Sequence, residues 1–134
     1  FVDMHFMLQL EVVDRMTATP STRAYGRLSV MTQLYCEAEK LFEVPPEAFS
    51  PRPKVRSAII RLRSRIEAVD KPDMLEQVLI KAFSARRKTV RNALKTLLNA
   101  DDLEQLGIDP TVRPDNLHPD QFMACANHLQ ARAP

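Results

Sequence analysis

The sequence predicts an α/β segment followed by an all-helical one, and three observations carry that expectation. Residues 2–10, VDMHFMLQL, are almost all apolar or β-prone. Residues 37–44, EAEKLFEV, set Glu37, Glu39, Leu41 and Glu43 against Ala38, Lys40, Phe42 and Val44 with a period of two, and a β-branched run, VRSAIIRLR, follows across a proline-rich loop. From about residue 70 onward, apolar residues recur only at helical spacing. The predicted division is an α/β part at 1–66 and a helical part at 70–134.

The first run reads as a strand buried on both faces of a mixed or parallel sheet, with sticky edges. A short helix follows around Glu11–Met16 and ends in the breaker region TATPST. In YGRLSVMTQLYC, the residues Leu28, Met31 and Tyr35 stand at i, i+3 and i+7, which predicts one apolar helix stripe. EAEKLFEV and VRSAIIRLR then form the two arms of a hairpin, the first stopped by Pro45-Pro46. Beyond Arg65–Pro72, Asp73 and Glu76 have capping-box spacing ahead of Leu75, Val78, Leu79, Ala82 and Phe83. Val90, Ala93, Leu94, Leu97 and Leu98 form a second apolar stripe. DDLEQLGI reads as a short helix closed by a left-handed Gly107, with Ile108 folding back. A last helix, from about Pro119, buries Phe122, Cys125, Ala126 and Leu129.

The 134 residues are 45% hydrophobic and 27% charged, enough for a packed core but small for an enzyme with its own cofactor fold. The net charge of +2 conceals blocks. Residues 37–47 hold Glu37, Glu39, Glu43 and Glu47 against Lys40 alone. Residues 52–65 hold Arg52, Lys54, Arg56, Arg61, Arg63 and Arg65, and residues 81–95 hold Lys81, Arg86, Arg87, Lys88, Arg91 and Lys95, neither block with an acid. On a helix starting near Arg86, the side chains Arg87, Arg91 and Lys95 fall on one stripe beside Lys88. A solvated face is the ordinary reading of such a stripe, but solvated faces intersperse both signs. The missing acids, together with the block around Arg52 and Lys54, point to phosphate contact.

Other chemistry is sparse. His5, His118 and His128 share no metal-like spacing, so no metal is expected. Cys36 and Cys125 read as buried thiols in a reducing compartment. With Gly26 and Gly107 alone, no dinucleotide or phosphate-cradling loop can be written, and no cofactor site is expected within this chain. No run is long and apolar enough to span a membrane, and no signal peptide is visible, so a soluble cytoplasmic protein is expected. The start at Phe1, in mid-pattern, reads as the tail of something longer. Phe49 stands apart, an aromatic in the stiff basic loop AFSPRPKV. It is either a lid on the local core or a ring that stacks on a nucleobase, with Arg52 and Lys54 beside it for phosphates.

MLQLEVVDR, STRAYGRLSVMTQLYC, FEVPPEAFSPRPKVRSAIIRL, AFSARRKTVRNAL and LGIDPTVRPDNL, in that order, resemble the rRNA adenine N6,N6-dimethyltransferase family, over the C-terminal half of such an enzyme. The resemblance implies the end of a Rossmann-like, S-adenosylmethionine-dependent methyltransferase sheet followed by a small rRNA-binding helical domain. It implies a role in ribosome biogenesis, with small-subunit rRNA in the pre-small ribosomal subunit as partner. Phe49 matches the family's adenine-stacking aromatic, and Arg86, Arg87 and Lys88 match its basic motif. Tyr25, Gly26, Arg27, Leu28 and Ser29 match a family block that reads mostly as packing, with Arg27 its candidate for RNA contact. The family's glycine-rich donor loop and catalytic tetrapeptide have no counterpart here, so the chain by itself is expected to be inactive. The alternative is a non-catalytic RNA-binding or ribosome-docking module.

Overall fold

The computed structural model describes residues 3–65, 72–85 and 87–132. Three strands, β1 (Asp3–Gln9), β2 (Cys36–Val44) and β3 (Ser57–Ser64), form one sheet in the order β1-β3-β2 with both pairs antiparallel. Two helices lie between β1 and β2, α1 (Leu10–Met16) and α2 (Arg27–Tyr35). The helical part comprises α3 (Pro72–Phe83), α4 (Val90–Ala93), α5 (Ala100–Gln105) and α6 (Pro119–Arg132).

The central strand, β3, has the cleanest alternation. Ala58 and Ile60 point to one face and are buried, and Val13 of α1 closes over them with Leu8, Leu10, Met16, Ala38 and Leu62. β1 departs from the expectation of burial on two faces. It pairs antiparallel, with Phe6 opposite Ile60, and most of its residues are exposed, Phe6 and Met7 among them. The apolar run reads as doubly buried because strand composition cannot say whether both faces are covered. Here α1 covers one face only.

The larger core joins the two parts of the chain. Tyr25, Val30 and Leu34 pack with Leu75, Val78 and Leu79 of α3, with Val90, Leu94 and Leu98, and with Phe122, Cys125 and Ala126 of α6. Tyr25 is the pin: it is 0% exposed, its hydroxyl donates to the Leu117 carbonyl at 2.6 Å, and its ring meets Phe83 edge-on at 6.2 Å. Phe83 in turn lies 5.3 Å from Phe122.

α2 buries a different face from the one predicted. Ser29, Val30 and Leu34 point inward, whereas Leu28 is 43% and Tyr35 39% exposed; Met31 is half-buried against the core. The polar residues on the inward side explain the choice. The Ser29 hydroxyl donates to the Arg15 carbonyl, and the Gln33 amide donates to the carbonyls of Met16 at 3.1 Å and Ala18 at 2.7 Å. These carbonyls at and just beyond the end of α1 need donors, and this rotation of α2 supplies them.

The helical part keeps most of its predicted signals. α3 buries Leu75, Val78, Leu79 and Ala82, although it opens on Pro72, which leaves Asp73 inside the first turn instead of at the cap. Asn99 and Asp102 cap α5 reciprocally at 2.8 and 2.9 Å. Gly107, at φ +74, closes it, with Gly107 N–H bonding to Glu104 and Ile108 N–H to Leu103. In α6, Phe122, Cys125 and Ala126 are buried, and Leu129 packs beside them.

Candidate nucleic-acid interface

The hairpin resolves the charge blocks. Cross-strand register sets Glu39 opposite Arg61 and Glu37 opposite Arg63, and the acidic strand neutralises much of the basic one. Arg61 pairs with Glu39, Arg63 with Asp3 at 2.9 Å, and Arg56 with Glu43 at 3.8 Å. The Arg63 guanidinium, by its hydrogen bond, holds the Asp3 carboxyl below the usual carboxylate range. Arg65 Nε donates to the Gln33 carbonyl at 2.7 Å. The block at 52–65 is therefore not the acid-free surface that it resembles in one dimension. At its loop end, Arg52 stands 4.0 Å from Glu47, and Lys54 is exposed with no carboxylate partner among the described residues.

The loop itself starts with a 3₁₀ turn at Pro46–Ala48, and Phe49 N–H bonds to the Pro46 carbonyl at 3.1 Å. Phe49 follows in extended conformation, ahead of a cis Ser50–Pro51 bond. Its ring is half-buried and belongs to neither apolar cluster, unlike Phe83 and Phe122.

The second basic block is arranged differently from the predicted helix stripe. Arg87 and Lys88 lie in a turn before Thr89, whose hydroxyl caps α4 by accepting from Asn92 N–H at 3.3 Å. Arg91 is on α4, and Lys95 is in the turn that follows it. The cap breaks the helix because Thr89 adopts an extended ψ of 159°, so the four cations do not share one continuous helix. All four are exposed, and none has a carboxylate partner among the described residues. Arg86 lies outside the described residues.

Sequence reading missed one neighbour. Val90 N–H bonds to the Val112 carbonyl at 2.7 Å, and Arg91 N–H to that of Pro110 at 3.1 Å. These bonds hold the 110–113 loop against the start of α4, and Arg113 on that loop is exposed. A lone arginine between prolines carried no signal by itself.

Arg27 opens α2 and is exposed, at the lip of a cleft of about 1060 Å³ between the α1 start, the base of the hairpin loop and Phe83. The chain's two glycines serve a helix start and a helix end, since Gly26 precedes α2, with its N–H donating to Ser29 Oγ, and Gly107 closes α5. Neither is placed in a loop that could cradle a cofactor. Among the described residues, no group of three or more His, Cys, Asp or Glu side chains could hold a metal ion. No described helix is long and apolar enough to cross a membrane.

Residues 1–131 match the family described as ribosomal RNA adenine dimethylase. The chain is 52% identical over 131 residues to a ribosomal RNA small subunit methyltransferase A of Vibrio parahaemolyticus, covering 95% of this chain and 48% of that protein. It is 47% identical over 135 residues to the protein so named in Klebsiella pneumoniae, with 98% and 50% covered. The chain thus spans about half the length of these relatives. Among solved structures, it is similar to a dimethyladenosine transferase from Plasmodium falciparum (TM-score 0.83, 25% identity, 93% of this chain and 56% of that one). It is also similar to the 23S rRNA methyltransferase ErmE (TM-score 0.64, 25% identity, 96% and 55%).

Proposed function

The chain belongs to the ribosomal RNA adenine dimethylase family, and on that premise we propose that it is the RNA-seating and base-stacking portion of a small-subunit rRNA adenine N6,N6-dimethyltransferase. In this reading, residues 1–66 end a Rossmann-like methyltransferase sheet, and residues 70–134 form a helical domain that docks on the pre-small ribosomal subunit in the cytoplasm. The observation that carries it is the set of exposed cations Arg87, Lys88, Arg91 and Lys95, unpaired with any carboxylate among the described residues. On β3, by contrast, Arg61 and Arg63 each find a carboxylate. A phosphate backbone is the ligand that such a group fits.

An adenine amino nitrogen is a poor nucleophile because its lone pair is delocalised, so the task of these residues is to position it. Flipping the base costs a few kcal/mol of stacking, and Phe49 offsets about 1–3 kcal/mol of that. Arg52 and Lys54 follow Phe49 in the same loop as candidate phosphate contacts, and Arg27, Arg86 and Arg113 are further candidates. S-adenosylmethionine supplies an electrophilic methyl group, but the residues present here do not fit it. The proposed donor site lies in a part of the protein outside this chain, which by itself binds no donor and transfers no methyl group.

Charge reversal at Arg87, Lys88 and Arg91 should weaken binding of single-stranded RNA and flatten its salt dependence by about 0.7 for each phosphate no longer neutralised. An unchanged slope returns these residues to a solvated face. Calorimetry with S-adenosylmethionine should show no heat of binding, and a measurable affinity would overturn the division of labour.

A further inference from the structure

We propose that the free edge of β1 is a self-pairing surface, through which two copies of this chain join their three-stranded sheets into one. The inference goes beyond the proposed function and does not rest on it. It concerns this chain as it stands.

β1 and β2 are the two edges of the sheet, and only one of them is protected. β2 carries exposed Lys40 near its middle, and its ladder with β3 slips between Lys40 and Phe42. An edge lysine and a bulge are devices that keep a strand from pairing with another chain. β1 has neither. Its residues, DMHFMLQ, include no proline or lysine, and they pair with β3 in unbroken register from Asp3 to Gln9. Its one acid, Asp3, is held by Arg63 at 2.9 Å. Among the described residues, no strand pairs with its outer side. Backbone N–H and C=O groups are therefore left to water there, beside two exposed apolar side chains, Phe6 at 44% and Met7 at 52%.

The strand is its own complement. In an antiparallel pair centred on Phe6, every residue of β1 finds a partner: Asp3 faces Gln9, Met4 faces Leu8, His5 faces Met7 and Phe6 faces Phe6. No like charges meet. A pair centred on His5 would set two imidazoles opposite each other and leave Leu8 and Gln9 outside the ladder.

The faces match as well. Met4, Phe6 and Leu8 stand opposite Leu62, Ile60 and Ala58, on the face that α1 covers. Pairing of two copies continues that apolar row across the junction and brings the two Phe6 rings together. The symmetry also closes. Each copy offers one β1 edge, and the protected β2 edges end the joined sheet, so assembly stops at two. One strand pair buries less than a standard interface, below about 1,200 Å² in total, which makes the dimer weak and reversible.

Sedimentation velocity of the chain across the micromolar range tests this. Monomer should give way to dimer as concentration rises, with no larger species. The outward-facing amides of β1 should exchange fast in the dilute monomer and slowly in the dimer. Phe6→Lys sets two cations face to face at the centre and should leave the chain monomeric throughout, with the circular dichroism of the wild type. His5→Lys with Met7→Glu changes only exposed side chains and places opposite charges across the junction twice. That double variant should dimerise at lower concentration, a gain that high salt removes. Phe42→Lys, at the β2 edge, should dimerise as the wild type does.

A wild-type chain that stays monomeric overturns the proposal. So does a dimer that is lost in Phe42→Lys and kept in both β1 variants. Slow exchange of the outward β1 amides in the monomer would mean that another segment of the same chain covers the edge, and the proposal falls. Should Phe6→Lys fail to fold, the double variant decides, and association unchanged from wild type overturns the register and the surface together.

Discussion

Phe49→Ala separates the two readings of the loop aromatic because they differ in magnitude on two axes. A core lid replaced by alanine would lose about 3–5 kcal/mol of stability through lost transfer energy and the cavity left behind. Phe49 is half-buried and packs against neither apolar cluster, so its removal should cost no more than a surface substitution, about 0.5 kcal/mol. Stacking on one base is worth about 1–3 kcal/mol, which corresponds to an affinity loss of about 5- to 150-fold. The ligand is a single-stranded RNA with one 2-aminopurine in place of adenine. The chain contains no tryptophan, so the fluorescence of that base can be read without an indole background. Wild type should quench the base on binding, and Phe49→Ala should bind more weakly with the quench lost. Guanidinium unfolding of the two proteins should superimpose. A stability loss above about 2 kcal/mol with unchanged RNA affinity would refute the reasoning and make Phe49 a lid.

The core supplies three further tests. Tyr25→Phe leaves the buried Leu117 carbonyl without its donor and should cost about 1–3 kcal/mol, read as a lower urea midpoint. Because burial raises the Tyr25 pKa, wild-type stability should also fall as pH rises past the ordinary tyrosine range, a decline that Tyr25→Phe lacks. Asp102 is 3% exposed and is held below the usual carboxylate range by Asn99 N–H, then by His128 and Arg132. Its contribution is present above the ordinary carboxylate value and is lost on acidification. Asp102→Asn should be less stable at neutral pH, with a flatter acid limb in a series of urea midpoints. Burial pushes the Cys125 thiol up to about 11, so an aromatic disulfide reagent should label half-buried Cys36 first and reach Cys125 only on unfolding.

Where local chemistry decides, the chain could be read in one dimension. The α5 closure at Gly107 and Ile108, the buried faces of α3 and α6, and the hairpin around a proline-stiffened loop all follow from spacing within a few residues. Backbone conformation and helical periodicity are short-range properties, and the residues that set them are neighbours in sequence. The resemblance to the family was equally legible, because it rests on ordered blocks of residues.

Tertiary structure decided what depends on register and rotation. Which cations remain for a polyanion could not be read from the blocks, since Glu39 cancels Arg61 only when β2 and β3 align as they do. Thr89 splits the expected stripe because its hydroxyl caps α4, a choice that competes with helix propagation. α2 turns Ser29 and Gln33 inward to satisfy carbonyls at and beyond the end of α1, and Leu28 is thereby left at the lip of the cleft. Burial, charge cancellation and concavity are relations between distant residues, and only the packed chain brings those residues together.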